Sequence, residues 1–336
     1  MKKTLQKLLH GREISAVGFL IAMFLVAGLV NPEFLAPDNL LLTLNGSVMY
    51  ILLAVGSSFV IVTSDIDVSI GANLGLTGAM AATLIRDGVS LMIVIPATLL
   101  LGAAIGLING IGVAKLNVPA IIMTLGTNGI IRGFIYIYTK GKWVENLPDF
   151  FKQYSQLTLI GFVNVFLLIT AIIVTLVYLY LSKAKKGKYF AAIGDNVSGA
   201  ALIGIPVPRT RMIAFVLSGT FAALAGLVFV SKVGFVSPMA GNGYEMKAIA
   251  ACVLGGVSLS GGMGSVIGAS IGAIIMSSIS RILVFLKFPS DWDNTITGIL
   301  LIVIVVADAL IQRHLSEKAR KTRLSARTSA QKEAAV

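Results

Sequence analysis

The chain has 336 residues, of which 56% are apolar and only 12% are charged. A soluble domain of this size carries about twice that charged fraction, so the composition excludes an ordinary soluble protein and favours a membrane protein. The formal net charge is +12. We nevertheless expect no nucleic-acid partner, because the cations cluster where they can set the orientation of membrane helices.

Apolar runs that could form membrane helices follow one another along the chain. The segments 91–113 and 159–181 contain no acidic or basic residue, and each could cross a hydrocarbon layer of about 30 Å as a helix. The same reasoning predicts an all-α membrane fold, a polytopic helical bundle of about ten transmembrane helices. The short segment 246–259 could either cross the membrane or re-enter it. The predicted spans are 14–30, 47–63, 71–85, 91–113, 120–139, 159–181, 212–231, 246–259, 264–286 and 295–311.

Basic residues cluster before the first span, in the loop 183–211 and in the tail 313–336. A path through an even number of spans places all three clusters on one side, and an excess of Lys and Arg marks the cytoplasmic side. We therefore predict an inner-membrane protein with both termini and the loop 183–211 in the cytoplasm. The basic segments would contact anionic membrane lipid. Residues 1–312 would form one transmembrane domain, followed by a disordered tail over 313–336.

The sequence contains no constellation of residues that would make the chain an enzyme. His10 and His314 lie in the basic termini, and the single cysteine, Cys252, lies in an apolar run without metal-ligand spacing. The phosphate-binding pattern G-x-x-x-x-G-K-[ST] is absent. We predict no catalytic residue, no metal and no cofactor. Any ATP hydrolysis that drives transport would then take place on a separate subunit.

The loop 185–206 carries the signals of a short helix over 197–203. Asp195 or Asn196 can cap the start of this helix, and Gly204 can end it. Small side chains would leave its surface flat enough to dock on a partner, although a solvated connector remains the alternative. The residues of the predicted docking surface are Gly194, Asp195, Asn196, Ala200, Ala201 and Gly204.

Polar side chains within the predicted spans are candidates for a solute path, because burying them in lipid is costly. Asp65 and Asp67 could cap helices in a cytoplasmic turn or could lie in an interrupted helix at membrane depth. Neutral groups on one face of the span 120–139 could serve a hydroxylated solute or simply pack helices together. Arg132 could snorkel toward the membrane interface or pair with a carboxylate such as Glu245. The candidate path residues are Asp67, Ser69, Asn73, Thr124, Thr127, Asn128 and Glu245.

Glycines recur every four residues in two predicted spans. Gly102, Gly106 and Gly110 form one set, and Gly264, Gly268 and Gly272 form the other. This spacing places each set on one helix face, where backbones can approach closely. Packing inside the bundle is the simplest interpretation, and a sliding surface is the alternative.

Four segments, in the same order along the chain, carry a family resemblance. They are IDVSIG at 66–71, TLGT at 124–127 with RG at 132–133, AIGDN at 192–196, and the glycine-rich region 243–264. Together they resemble the permeases of ribose-type ATP-binding-cassette (ABC) sugar importers over nearly the whole chain. Asp65 and Ala72, which flank the first segment, depart from the family pattern.

The resemblance implies a permease of the type II ABC importer kind, without bond chemistry of its own. Such a permease would work with a second permease, an ABC ATPase and a periplasmic solute-binding protein. The path for the solute would lie between the two permeases. An ion-coupled secondary transporter is the alternative outside this class, and Asp65, Asp67 or Glu245 would have to couple the ion.

Within the family, the segments GKWVENLP at 141–148 and EMKAIAAC at 245–252 are similar to those of autoinducer-2 import permeases. Asp195 and the basic tail strengthen the similarity to the C-type permease of those importers. The resemblance therefore implies autoinducer-2 as the solute and a heterodimer of permeases. A permease for ribose, rhamnose or a similar monosaccharide is the alternative.

Overall fold

The computed structural model describes residues 12–159, 163–289, 291–307 and 309–310. The predicted basic tail 313–336, His10 and His314 lie outside these residues. A 3-10 turn covers Pro32–Leu35, and the short strands β1 (Thr158–Leu159) and β2 (Val163–Asn164) pair antiparallel. The helices are α1 (Arg12–Val30), α2 (Pro37–Val62), α3 (Ile70–Arg86), α4 (Leu91–Ala114), α5 (Ala120–Thr139), α6 (Asp149–Tyr154), α7 (Val165–Lys183), α8 (Lys188–Asp195), α9 (Val197–Leu202), α10 (Val207–Val233), α11 (Tyr244–Leu254), α12 (Val266–Phe285) and α13 (Trp292–Ala307).

Seven helices in the described part of the chain are long and apolar enough to cross a membrane: α1, α2, α4, α5, α7, α10 and α12. The other three predicted spans correspond to α3, α11 and α13. Helix α3 has 17 residues and α11 has 11. A helix of eleven residues rises only about 16 Å, so α11 does not cross a bilayer alone. The predicted polytopic helical bundle is confirmed.

Helix α2 is the centre of the bundle. In its most apolar stretch of 18 residues, 89% are buried, and the helix packs against α10, α11 and α12. By contrast, only 6% of the corresponding stretch of α7 is buried inside the chain. The peripheral helices therefore leave most of their apolar surface to lipid or to other subunits.

Helix ends define two ends of the bundle. The loop end contains α8, α9, the last turn of α2 and the first turn of α10. The opposite end contains the 3-10 turn, α6 and the strands. At the opposite end α10 stops at Gly234, whose φ of 80° favours glycine.

The glycines of α4 form a contact surface for α10. A Cβ on Gly102 would lie 2.4 Å from the carbonyl oxygen of Gly219, and one on Gly106 would lie 2.2 Å from that of Phe215. The two backbones therefore approach each other closely only because side chains are missing. The packing interpretation of this set agrees with these contacts.

The second set of glycines is smaller than the sequence suggests. Gly268 packs on Gly255, and Gly272 packs on Ala251, so both join α12 to α11. Gly264 instead lies before α12, which begins at Val266, and its φ is +156°. The prediction that Gly264 begins this helix and belongs to its glycine face is therefore wrong.

We predict that Gly106→Ala lowers the free energy of unfolding by about 1–3 kcal/mol, because the added methyl group overpacks the α4–α10 contact. Unfolding of the purified chain by SDS in mixed micelles measures this change. Gly18→Ala in α1 is the control, since nothing lies within 4 Å of its added Cβ. Equal stability of the two variants would contradict the prediction.

Candidate solute path and coupling loop

Two non-helical segments interrupt the bundle in its interior. The first, 63–69, follows α2, and α3 begins only at Ile70. The second, 234–243, leads into α11. A Cβ on Gly71 would lie 2.1 Å from Glu245 Oε2 and 2.4 Å from the carbonyl oxygen of Gly241. The starts of α3 and α11 therefore abut inside the protein.

Asp67 lies deep in the bundle and its carboxylate is fully engaged. It is 3% exposed. Its Oδ1 accepts from the backbone nitrogen of Ser69 at 2.9 Å and from Ser69 Oγ at 2.6 Å, and its Oδ2 accepts from Ser218 Oγ at 2.8 Å. Ser218 lies near the middle of α10. Of the two placements that the sequence leaves open, the interrupted helix is therefore the correct one for Asp67.

Asp65 lies nearer the loop end, where it forms an ion pair. Arg211, in the first turns of α10, donates from Nε at 2.8 Å and from Nη2 at 2.7 Å to its two carboxylate oxygens. A bidentate pair of this kind fixes both position and orientation. Asp65, one of the two residues that depart from the family pattern, thus ties the first interruption to α10. From the sequence, Arg211 is interpreted only as one of the basic residues that orient the protein in the membrane.

Asn109 of α4 connects two of the predicted path residues. The sequence gave no signal for this role beyond a polar residue within an apolar, glycine-rich span. Its Nδ2 donates to Ser69 Oγ at 2.8 Å, and its Oδ1 accepts from Thr127 Oγ1 at 2.6 Å. Thr124 Oγ1 accepts from the backbone nitrogen of Val68 at 3.1 Å. Ser69, Thr124 and Thr127 therefore hold the interruption in place.

Asn73 has a similar role at a helix crossing. Its Nδ2 donates to the carbonyl oxygens of Gly102 at 3.3 Å and Gly219 at 3.4 Å, while its Oδ1 has no partner in the part of the chain that the structure describes. The side chain lies where α3 meets the α4–α10 contact. It therefore bonds to the glycine backbones, away from the start of α11.

A second group of polar atoms is not committed to packing. Asn128 Oδ1, Arg132 Nη2 and Glu245 Oε2 are buried without a hydrogen-bond partner among the described residues. Asn128 and Arg132 lie one turn apart on α5, and Arg132 Nη1 donates to the carbonyl oxygen of Ala240 at 2.6 Å. Glu245 Oε2 lies against Gly71. We call Asn128, Arg132 and Glu245 the polar cluster.

The hypothesis that Arg132 pairs directly with Glu245 is wrong. The ion pairs within the described residues do not include this one, and Arg132 bonds to a backbone carbonyl instead. The face of α5 beyond the cluster is open, since no atom lies within 4 Å of a Cβ added at Gly126, Gly129 or Gly133. The cluster therefore lies between the interruptions and a surface that the chain itself leaves uncovered.

The loop at the loop end forms two short helices, α8 and α9, with the predicted cap. Asn196 Oδ1 accepts from the backbone nitrogen of Gly199 at 2.7 Å, so Asn196 is the cap and Asp195 is the last residue of α8. After α9 the chain turns at Gly204, whose φ is +80°. The short helix therefore forms as the sequence predicts.

The side chains of the loop do not all face outward. Ala200 is 3% exposed and packs with Ile193 and Ile205, and a Cβ on Gly194 would lie 1.9 Å from the carbonyl oxygen of Val62. Both residues thus face the bundle, which corrects their prediction as members of a flat docking surface. Ala201 is exposed. The large apolar side chains that the sequence interpretation missed are Leu202, 88% exposed, and Ile203, 75% exposed.

Known proteins with this sequence pattern are transport permeases. The family model described as "Branched-chain amino acid transport system / permease component" matches residues 39–305. The chain belongs to this permease family. The matched range includes both interruptions, the polar cluster and the loop with α8 and α9. The predicted identity as a multi-pass ABC importer permease is confirmed.

Several curated relatives of this permease carry one name, "Autoinducer 2 import system permease protein LsrC". The relative from Escherichia coli (strain K12 / DH10B) is 40% identical over 312 residues, covering 93% of this chain and 91% of the relative. The relative from Shigella flexneri gives the same values. That from Salmonella paratyphi B is 38% identical over 93% of this chain and 90% of its own. No solved structure matches the chain.

We predict that Arg211→Gln lowers the free energy of unfolding by about 1.5–3 kcal/mol, because Asp65 loses a charged hydrogen-bond partner. Asp65→Asn combined with Arg211→Gln should cost less than the sum of the two single changes. Unfolding of the four proteins in mixed micelles measures this coupling. Arg86→Gln is the control, since Arg86 forms an exposed pair with Asp87 at the opposite end. Strict additivity would contradict the pairing.

Proposed function

We propose that this permease imports autoinducer-2, a small hydroxylated solute, as one subunit of a heterodimer of permeases. The observation that carries the proposal is 40% identity over 93% of the chain to permeases named for that import system. The polar cluster supports it, because an amide oxygen, a guanidinium nitrogen and a carboxyl oxygen without partners among the described residues can bond to hydroxyl groups. A permease for ribose, rhamnose or another monosaccharide is the alternative that the family supports.

The solute passes along the open face of α5, beside the polar cluster. Helix α5 has only 22% of its most apolar stretch of 18 residues buried inside the chain, so this face is available to a second permease. Of the seven predicted path residues, Asn128 and Glu245 belong to the polar cluster beside this face. Asp67, Ser69, Asn73, Thr124 and Thr127 support it from behind through the contacts described above.

The exposed end of α9 docks on a separate ABC ATPase. Ala201, Leu202 and Ile203 offer an apolar surface, and an apolar surface exposed at a loop is typical of a protein interface. Asp195, Asn196 and Gly204 set the direction of α9, while Gly194 and Ala200 attach it to the bundle. This arrangement requires the loop end, and with it both termini, to be cytoplasmic. The periplasmic solute-binding protein would then meet the opposite end.

We predict that Asn128→Leu lowers uptake of autoinducer-2 by at least about tenfold, because the path loses a group that bonds to hydroxyls. Uptake by cells that carry the complete importer measures this, with the amount of permease in the membrane checked in parallel. Thr175→Val is the control, since Thr175 bonds only to its own helix α7. Unchanged uptake would remove Asn128 from the path.

Competition by unlabelled solutes in the same uptake assay tests the solute itself. Autoinducer-2 should compete fully, whereas ribose and rhamnose should not. Full competition by either sugar, without competition by autoinducer-2, would contradict the solute and leave the permease class intact.

We predict that Leu202→Asp lowers co-purification of the ATPase about tenfold or more, because a charge replaces an apolar side chain in the docking surface. Leu116→Asp is the control. Leu116 is 70% exposed in the turn between α4 and α5, at the same end of the bundle. Equal co-purification of the two variants would contradict both the docking surface and the cytoplasmic orientation of the loop end.

A further inference from the structure

A large cavity opens at the opposite end of the bundle, and Asn128, Arg132 and Glu245 of the polar cluster do not belong to its lining. Its volume is about 860 Å³, and α2, α7, α10 and α12 contribute to its walls. Two basic side chains, Lys232 of α10 and Arg281 of α12, line it. Basic residues at this end do not follow the pattern that concentrates cations at the loop end, so orientation does not explain them.

The two cations lie near each other and neither is neutralised. A Cβ on Gly46 would lie 3.5 Å from both Lys232 Nζ and Ser277 Oγ, and Arg281 is one helical turn beyond Ser277. Arg281 Nη2 donates to Asn39 Oδ1 at 3.4 Å, while its Nε is buried without a partner. Among the described residues neither cation forms an ion pair.

The neighbouring Lys247 shows the usual arrangement of a buried cation. It is bonded to Asp293 and to Ser280 Oγ. The charge of Lys247 is therefore balanced inside the protein, whereas that of Lys232 and Arg281 is not. Two unpaired cations at the edge of a membrane bundle attract an anion.

The cationic cavity borders an apolar one. A second cavity of about 410 Å³ lies between α4, α7 and α10, and its lining is almost entirely apolar. Phe166 and Val228 belong to the walls of both cavities. The two adjacent cavities therefore form a two-part site, with a basic part at the opposite end and an apolar part that extends toward the middle of the bundle.

We propose that this two-part site binds an anionic phospholipid. The phosphate group lies between Lys232 and Arg281, because ammonium and guanidinium groups form short, charge-assisted hydrogen bonds with phosphate oxygens. An acyl chain occupies the apolar part along α7. Because α7 is barely buried by the rest of the chain, the lipid joins this helix to α2 and α10.

Thermal unfolding of the full-length permease in detergent tests the site, with phosphatidylglycerol, phosphatidylcholine or inorganic phosphate added. Phosphatidylglycerol should raise the melting temperature more than phosphatidylcholine, and inorganic phosphate alone should leave it unchanged. In Lys232→Gln/Arg281→Gln, the concentration of phosphatidylglycerol needed for half of the effect should rise by about tenfold or more. The control Arg86→Gln removes a cation at the same end but outside the cavity, and should respond like the wild type.

Three results would overturn the proposal. The first is an undiminished effect of phosphatidylglycerol in the double variant. The second is an effect of inorganic phosphate equal to that of phosphatidylglycerol, which would show a site for a free anion. The third is weaker binding of the solute-binding protein with an unchanged lipid effect, which would assign the cations to a protein interface. Lys232→Arg keeps the charge and should retain the lipid effect, which separates loss of charge from loss of packing.

Discussion

The structure depends on one constraint, which is that every backbone polar group of an interrupted helix must find a partner where no water is available. The segment 63–69 breaks the path between α2 and α3 in the interior of the bundle. Asp67 accepts from the backbone of Ser69, and Thr124 accepts from the backbone of Val68. The interruption is therefore stable only because α4, α5 and α10 surround it. These helices must pack around the segment 63–69 so that its polar groups find partners.

The same interruption connects the loop end to the rest of the protein. Ser64 Oγ donates to the carbonyl oxygens of Gly194 at 3.2 Å and Ser260 at 2.9 Å. The backbone nitrogen of Gly262 donates to the carbonyl oxygen of Val62 at 3.0 Å. The end of α2, the end of α8 and the turn before α12 thus meet at one point. A displacement of α8 and α9 would act on the start of the interruption and on the turn after α11 together.

Local patterns in the sequence predicted most of the helices and the short helix α9, because hydropathy, caps and glycines act within a few residues. They could not predict the partners of the polar residues. Asp65 and Arg211 lie 146 positions apart, and Asp67 and Ser218 lie 151 apart. Nor could they show that Ala200 faces inward, since its orientation depends on Ile193 and Ile205. The contacts that turn candidate residues into a site are set by tertiary packing.

Which polar groups are committed to packing also bears on the mechanism of transport. A carrier that couples to an ion needs a carboxylate that can exchange partners as the protein changes conformation. Asp65 is held by Arg211, and Asp67 by two serines, so neither is free to do this. Of the three, Glu245 keeps one oxygen without a hydrogen-bond partner within the described part of the chain. One open carboxyl group beside Asn128 and Arg132 suits weak binding of a neutral polar solute, which a conduit must release again, better than it suits ion coupling.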